Sequence, residues 1–235
     1  MFYMNTKKLL ILAILIIVLI ICIYTINNNK ETIQTVSLPV SGKTIVLDAG
    51  HGQPDSGAEN STGVTEESIN LIITKKVQSL LEQSGCKVVL TRSDENGIYD
   101  LASKTLREKK VSDIKNRVKI GNESSADAFI SIHLNKIEQS QYYGWQTFFK
   151  TNNEKSEQLA KSIQQELNSS IQRENKREAL KITGKYIIEH VEIPITIVEC
   201  GFLSNPKEAE LLQQDEYQNK LAWGIYNGIM DYFYE

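Results

Sequence analysis

Apolar and polar positions alternate along this 235-residue chain in three distinct ways. The first is an almost unbroken apolar run from Leu9 to Ile26, preceded by Lys7 and Lys8. It has no polar face, so it does not suit a helix half-buried in a soluble domain. The run falls slightly short of an ideal membrane span of about 20 residues and exceeds a usual signal-peptide core. No small-x-small cleavage signature follows it. Residues 1–26 therefore read as an uncleaved transmembrane signal anchor with cytoplasmic lysines and the remainder of the chain outside. Cleavage is the alternative. Residues 27–42 are polar, carry Pro39 and Gly42, and read as a linker.

The second pattern is a series of short continuous apolar runs, as buried strands require. Lys43–Ala49, Lys87–Thr91, Ala126–His133 and Ile193–Cys200 read this way, with Gly144–Phe149 and a short Tyr186–Ile188 as further strands. The third pattern is helical spacing. Thr65 can cap a helix whose Ile69, Ile72, Ile73, Val77, Leu80 and Leu81 share one face, and Gly85 terminates it. Residues 113–123 place Ile114 and Val118 inward, 154–171 are amphipathic, Asn205-Pro206 opens a short helix, and 215–233 close the chain. Residues 92–112 are charged without clear periodicity and read as a surface excursion with some helix. Strands alternating with helices predict a single α/β domain over 43–235, a mixed and mostly parallel β-sheet flanked by helices on both faces.

Composition changes this picture little. A formal net charge of -3 gives no basic excess, which sets nucleic acid aside as a partner. Of three cysteines, Cys22 lies in the apolar run. Cys86 and Cys200 could pair, but two buried free thiols are the simpler reading, and no spacing offers a thiolate metal site. Gly42-Lys43-Thr44 lacks the upstream glycine of a phosphate loop and precedes its strand, so that reading is rejected.

The chemistry concentrates where strands end. Asp48-Ala49-Gly50-His51-Gly52 closes the first strand with a histidine in a glycine turn, His133 closes another, and Glu199 a third. Carboxyl ends of parallel strands share one edge, so the three could converge there. Glu66 adds a carboxylate in the first turn of the next helix. Two histidines and one carboxylate make a common catalytic zinc set with a fourth position for water, and a further carboxylate that binds no metal then moves protons, a role that fits Glu199. Each residue also has a plain reading: His51 a turn residue, His133 a satisfied core histidine, Glu66 and Glu67 partners of the helix dipole, Glu199 half of an ion pair. His190 has no place in the constellation and reads as structural.

Four ordered stretches carry a specific resemblance. Asp48-Ala49-Gly50-His51-Gly52, Glu66 leading Ser68-Ile69-Asn70-Leu71, Ile130-Ser131-Ile132-His133-Leu134-Asn135, and Val198-Glu199-Cys200-Gly201-Phe202-Leu203-Ser204-Asn205 resemble the motifs of zinc-dependent N-acetylmuramoyl-L-alanine amidases. The resemblance implies that His51, Glu66 and His133 bind Zn2+ and that Glu199 is the catalytic acid/base. It implies cleavage of the amide between muramic acid and L-alanine in peptidoglycan. Arg117 matches an arginine of structural role, and Arg177 an arginine near the substrate groove; Asn135 is a substrate-binding candidate on its proximity to His133. Ala49 stands where proline is usual and Leu134 where a smaller residue is.

A short catalytic domain behind an anchor, with Gln146-Thr147-Phe148-Phe149 and Tyr186-Ile187-Ile188-Glu189-His190, is most similar to the spore-cortex amidases. These help to form muramic-δ-lactam, the mark read during germination. The implied location is extracytoplasmic, in the forespore intermembrane space, with the membrane, cortex peptidoglycan and an accessory regulatory protein as partners. Segments 92–112 and 154–171 are candidate surfaces for that protein. A metal-dependent deacetylase of the same polymer, or a silent binding module on this fold, are the rival readings.

Overall fold

In the computed structural model, residues 5–28 and 37–234 are described, and they form two compact units divided after Ser37. In the first unit, helix α1 (Thr6–Asn28) is 23 residues long, or about 35 Å at 1.5 Å per residue. Its Leu9–Tyr24 side chains are exposed throughout, and the stretch Thr6–Tyr24 has a mean hydropathy of 2.8. Residues 1–4 of the expected anchor and 29–36 of the expected linker lie outside the described residues. The second unit begins at Leu38, inside the stretch that reads as linker, because Val40 is fully buried in its core.

That unit is built on a six-stranded sheet, β1 (Thr44–Ala49), β2 (Lys87–Leu90), β3 (Ala128–Asn135), β4 (Gln146–Lys150), β5 (Leu180–Ile182) and β6 (Ile195–Phe202), in the order β2-β1-β3-β6-β4-β5. All pairings are parallel except β4 against β6, as the sequence predicts for a mixed, mostly parallel sheet. Helices α2 (Glu66–Gln83), α4 (Glu154–Ile171) and α7 (Asp215–Tyr234) cover one face, their Ile73, Val77, Leu159, Ile163, Leu221 and Ile225 joined to Ile45, Leu47 and Ile130 of the strands. On the other face, α3 (Leu106–Glu123) and α5 (Tyr186–His190) pack Val118, Ile187 and Ile188 on Val46, Phe129 and Ile197. Successive strand residues face opposite sides, so Ile45 and Leu47 feed one core while Val46 feeds the other. Helix α6 (Pro206–Leu211) follows β6 directly.

Three sequence expectations are corrected and one, on the thiols, is met. Residues 186–188 are helix α5, not a strand; its Ile187 and Ile188 pack on one sheet face, which a single helical turn achieves as well as an extended run. The edge strand is instead Leu180–Ile182, too short and exposed to show a pattern. Helix α3 starts at Leu106, seven residues before the predicted 113, because Thr105 and Glu108 form a reciprocal capping box. Thr65 occupies the cap position of α2, but its hydroxyl lies within hydrogen-bond distance of Glu67 Oε1 and the Ser68 hydroxyl and accepts no helix N–H. Cys86 and Cys200 are both buried free thiols.

Candidate active site

The sheet's central strands, β1, β3 and β6, deliver the site, although two of the three residues do not sit at strand ends. His133 and Glu199 are within β3 and β6 and are register partners, with β3 shifting register immediately beyond His133. His51 lies two residues past β1 in the left-handed region at φ 61, a conformation costly for a branched residue but tolerated by histidine. Glu66 opens α2 and is 4% exposed.

His51, Glu66 and His133 each present one ligand atom, and the three atoms lie within 4.8 Å of one another. His51 Nε2 is 3.3 Å from Glu66 Oε2, and His133 Nδ1 is 3.0 Å from Glu66 Oε1. Donors spaced by the edge of a zinc tetrahedron would be about 3.4 Å apart. The imidazole centroids are 5.1 Å apart with the rings at 77°. The plain reading of Glu66 as a dipole partner therefore gives way to one in which it faces both histidines. Its carboxyl is opposed by burial but held far below the usual range by those imidazoles. Conversely, burial works against charge on His51, while hydrogen bonds to Asp55 and Glu66 raise it to about 9.

Two glycines leave room for this cluster. A Cβ on Gly50 would collide with the His133 ring, and one on Gly57 would come within 2.7 Å of Glu66 Oε2 and of the His51 ring. Two buried arginines fix the turn from behind. Arg117 donates to the carbonyls of Ala49 (2.7 Å) and His51, while Arg92 donates to those of Ala49 (2.8 Å), Gly50 (3.1 Å) and Glu67 (2.7 Å). The Ala49 carbonyl is thus held by two guanidinium groups. Arg92 lay unnoticed in the charged segment after β2, since nothing in its surroundings distinguishes it from a solvated arginine.

Glu199 pairs with no lysine or arginine among the described residues, and its Oε2 is shielded and accepts no hydrogen bond. Burial first, and the Glu66 charge after it, push its carboxyl upward against the pull of His133, Lys185 and His51. The group faces a cleft of about 550 Å³ lined by the three ligand candidates, Asn135, Lys185 and Tyr186. A shielded carboxylate oxygen with no partner beside a His-Glu-His donor set is the arrangement in which a proton acceptor meets a metal site. The residues fit a zinc ion.

Asn135 lines this cleft, as expected. Arg177 does not: its guanidinium lies 4.7 Å from the Phe202 ring centroid and donates to Tyr143 O and Gln146 Oε1 in an adjacent groove with Tyr142. His190 is peripheral, stacked at 3.8 Å on Tyr186. Lys185, which lines the cleft, and Asp55, which meets His51 Nδ1 at 3.0 Å, carry no signal in the sequence that singles them out.

The sequence model of the N-acetylmuramoyl-L-alanine amidases matches residues 45–231. The chain belongs to that family. It is 39% identical over 208 residues to the germination-specific N-acetylmuramoyl-L-alanine amidase of Bacillus subtilis, covering 88% of this chain and 87% of that one. The CwlD amidase of Clostridioides difficile, solved in complex with the GerS lipoprotein, is 46% identical with a TM-score of 0.79 over 81% of this chain and 98% of that one. An N-acetylmuramoyl-L-alanine amidase of Clostridium difficile 630 gives 29% and 0.71 over 81% and 96%. This amidase thus shares its fold with enzymes of one named activity along nearly all of the second unit.

Proposed function

We propose that this amidase is zinc-dependent and that it hydrolyses the amide joining the lactyl group of muramic acid to L-alanine in cortex peptidoglycan, a step toward muramic-δ-lactam and germination. One observation carries the zinc reading: three ligand atoms from β3, α2 and the β1 turn gather within 4.8 Å beside an unpartnered carboxylate.

His51, Glu66 and His133 hold the ion. When bound, zinc supplies Lewis acidity to the scissile carbonyl and lowers the pKa of water toward 7. The Glu199 carboxylate takes the proton of the attacking water and returns it to the departing alanine nitrogen. Burial pushes its carboxyl upward, which makes the protonated form that it must pass through less costly to reach. Asn135 orients the substrate amide in the cleft, and Arg177, in the neighbouring groove, meets a more distant part of the polymer.

The apolar, uncovered α1 supports a membrane anchor that holds the second unit outside the cytoplasm, in the forespore intermembrane space. The complex of the CwlD relative with a lipoprotein supports an accessory partner here as well. Segment 92–112 suits such a contact, with Leu101 99% exposed and Leu106 and Val111 also uncovered. Helix α4 suits it less, since its apolar face is spent on the core.

The test is digestion of purified cortex peptidoglycan with mass-spectrometric product identification, with and without a zinc chelator. Free stem peptides that disappear on chelation are the expected products. Acetate release instead would make the protein a deacetylase, and no product at any zinc level would make it a binding module.

A further inference from the structure

The two candidate metal-binding histidines are not held alike. His51 turns Nε2 toward Glu66, while its Nδ1 lies 3.0 Å from Asp55 Oδ2. His133 turns Nδ1 toward Glu66, and no protein partner meets its Nε2 among the described residues; the ring packs over the bare Cα of Gly50. Asp55 is itself fixed through its second oxygen, which accepts from Lys110 Nζ at 2.8 Å and from Gly57 N at 3.2 Å. Lys110 belongs to α3, the helix whose Arg117 grips the His51 carbonyl.

From this geometry we propose that Asp55 and Lys110 are positioning residues of the metal site. Asp55 fixes the His51 imidazole as the Nδ1–H tautomer with Nε2 free to bind, and Lys110 anchors Asp55 to helix α3. The proposal rests on the zinc reading above. An imidazole that lends one nitrogen to a metal commonly donates its other N–H to a carboxylate, which sets the tautomer and raises ligand basicity. Asp55 is not itself a fourth ligand, because its carboxylate sits on the far side of the ring from Nε2. Helix α3 then holds His51 twice, by its backbone through Arg117 and by its ring through the Lys110–Asp55 pair.

A role confined to loop building is the competing account, since Asp55 also bonds the Gly57 N–H and pairs its backbone with Gly52. That account predicts lower stability with unchanged metal affinity. The two are separated by zinc competition against a chromophoric chelator, and by 15N-histidine NMR of the metal-free protein above about pH 10, where a His51 ring raised to about 9 is neutral and has a tautomer to read, both on the full chain in detergent. The chain has only three histidines, so the His51 signal is assignable.

Asp55→Ala should weaken zinc about 10- to 100-fold and spread His51 between tautomers, whereas Asp55→Asn, which keeps an acceptor without the charge, should fall between it and the parent. Lys110→Met should weaken zinc by about two- to fivefold, on the scale of an exposed ion pair, while Lys109→Met on the same helix should not. Unchanged affinity in folded Asp55→Ala or Asp55→Asn, or an unmoved His51 tautomer, overturns the proposal. If the parent takes up no zinc, the zinc reading fails by itself, and the tautomer measurement still decides whether Asp55 sets the His51 ring.

Discussion

His133 and Glu199 stand opposite each other on neighbouring parallel strands, so a single backbone pairing sets the distance between a candidate metal ligand and the candidate proton acceptor. Both strands are buried along most of their length, with His133 and Glu199 at partly exposed positions, so the carboxylate owes its position to the sheet and not to a flexible loop. Replacing Glu199 with Gln keeps the shape and removes the base. Turnover on peptidoglycan should fall by about 10²–10⁴-fold while zinc content stays at the parental level. Metal analysis run beside the product assay checks both halves. Loss of zinc together with activity would reassign Glu199 as a ligand.

Gly50 and Gly63 distinguish room at the site from backbone freedom. The Cβ of Gly50→Ala meets the His133 ring, while that of Gly63→Ala meets nothing within 4 Å but sits at φ +82. Gly50→Ala should therefore displace the imidazole and weaken zinc by more than about 10-fold, the scale of disturbing a ligand's orientation. Gly63→Ala should cost about 1 kcal/mol of stability, from the left-handed backbone, and leave zinc binding alone. Chelator competition and urea melts on both variants give the two numbers.

The legible parts of this fold were those with a single physical cause. Strands β1, β3 and β6 are buried on both faces, so each prints a continuous apolar run, and α2 prints its one apolar stripe. The motif residues His51, Glu66, His133 and Glu199 were legible for the same reason, since each borders such a run. Illegible parts had two causes in competition. The start of α3 is polar and announced only by its capping box, and α5 is one turn of apolar residues that could equally be extended. Asp55 and Arg92 escaped because their partners, a ring nitrogen and backbone carbonyls, come together only through tertiary structure. No sequence spacing marks an arginine that will point at a turn.

The two thiols of the second unit lend themselves to a direct check. Burial first, with the charges of Asp127 and Glu82, pushes the Cys86 thiol up to about 11, and burial pushes Cys200 up further. Thiolate is the reactive form, so both should resist alkylation in the native domain 38–235 and react together once it is denatured. A reductant should leave the melting temperature unchanged. A shift of several degrees on reduction would mean that the two sulfurs are joined.

Asp48 and Arg117 form the most deeply buried ion pair beneath the site, at 2.6 Å, with Asp48 wholly inaccessible and Arg117 2% exposed. Burial pushes the Asp48 carboxyl upward, but Arg117 and the hydroxyls of Ser131 (2.5 Å) and Thr91 (2.6 Å) outweigh it and leave the group below its ordinary value. A carboxyl lowered by folding gives stability that is complete above its unfolded pKa of about 3.9 and is lost as pH falls through the folded value. Asp48→Asn removes one of the two carboxylates that face the buried Arg117, leaving Asp113, and should cost up to about 3 kcal/mol at pH 7. The gap between parent and variant should then narrow as pH drops below about 4, because protonation makes the parent resemble the amide. Urea unfolding of metal-free domain 38–235 across pH 3 to 7 measures that gap. A difference that stays constant over this range would show that folding leaves the Asp48 pKa unchanged, and a parent that gains on the variant as pH falls from 7 to 4 would show that Asp48 is neutral in the native state.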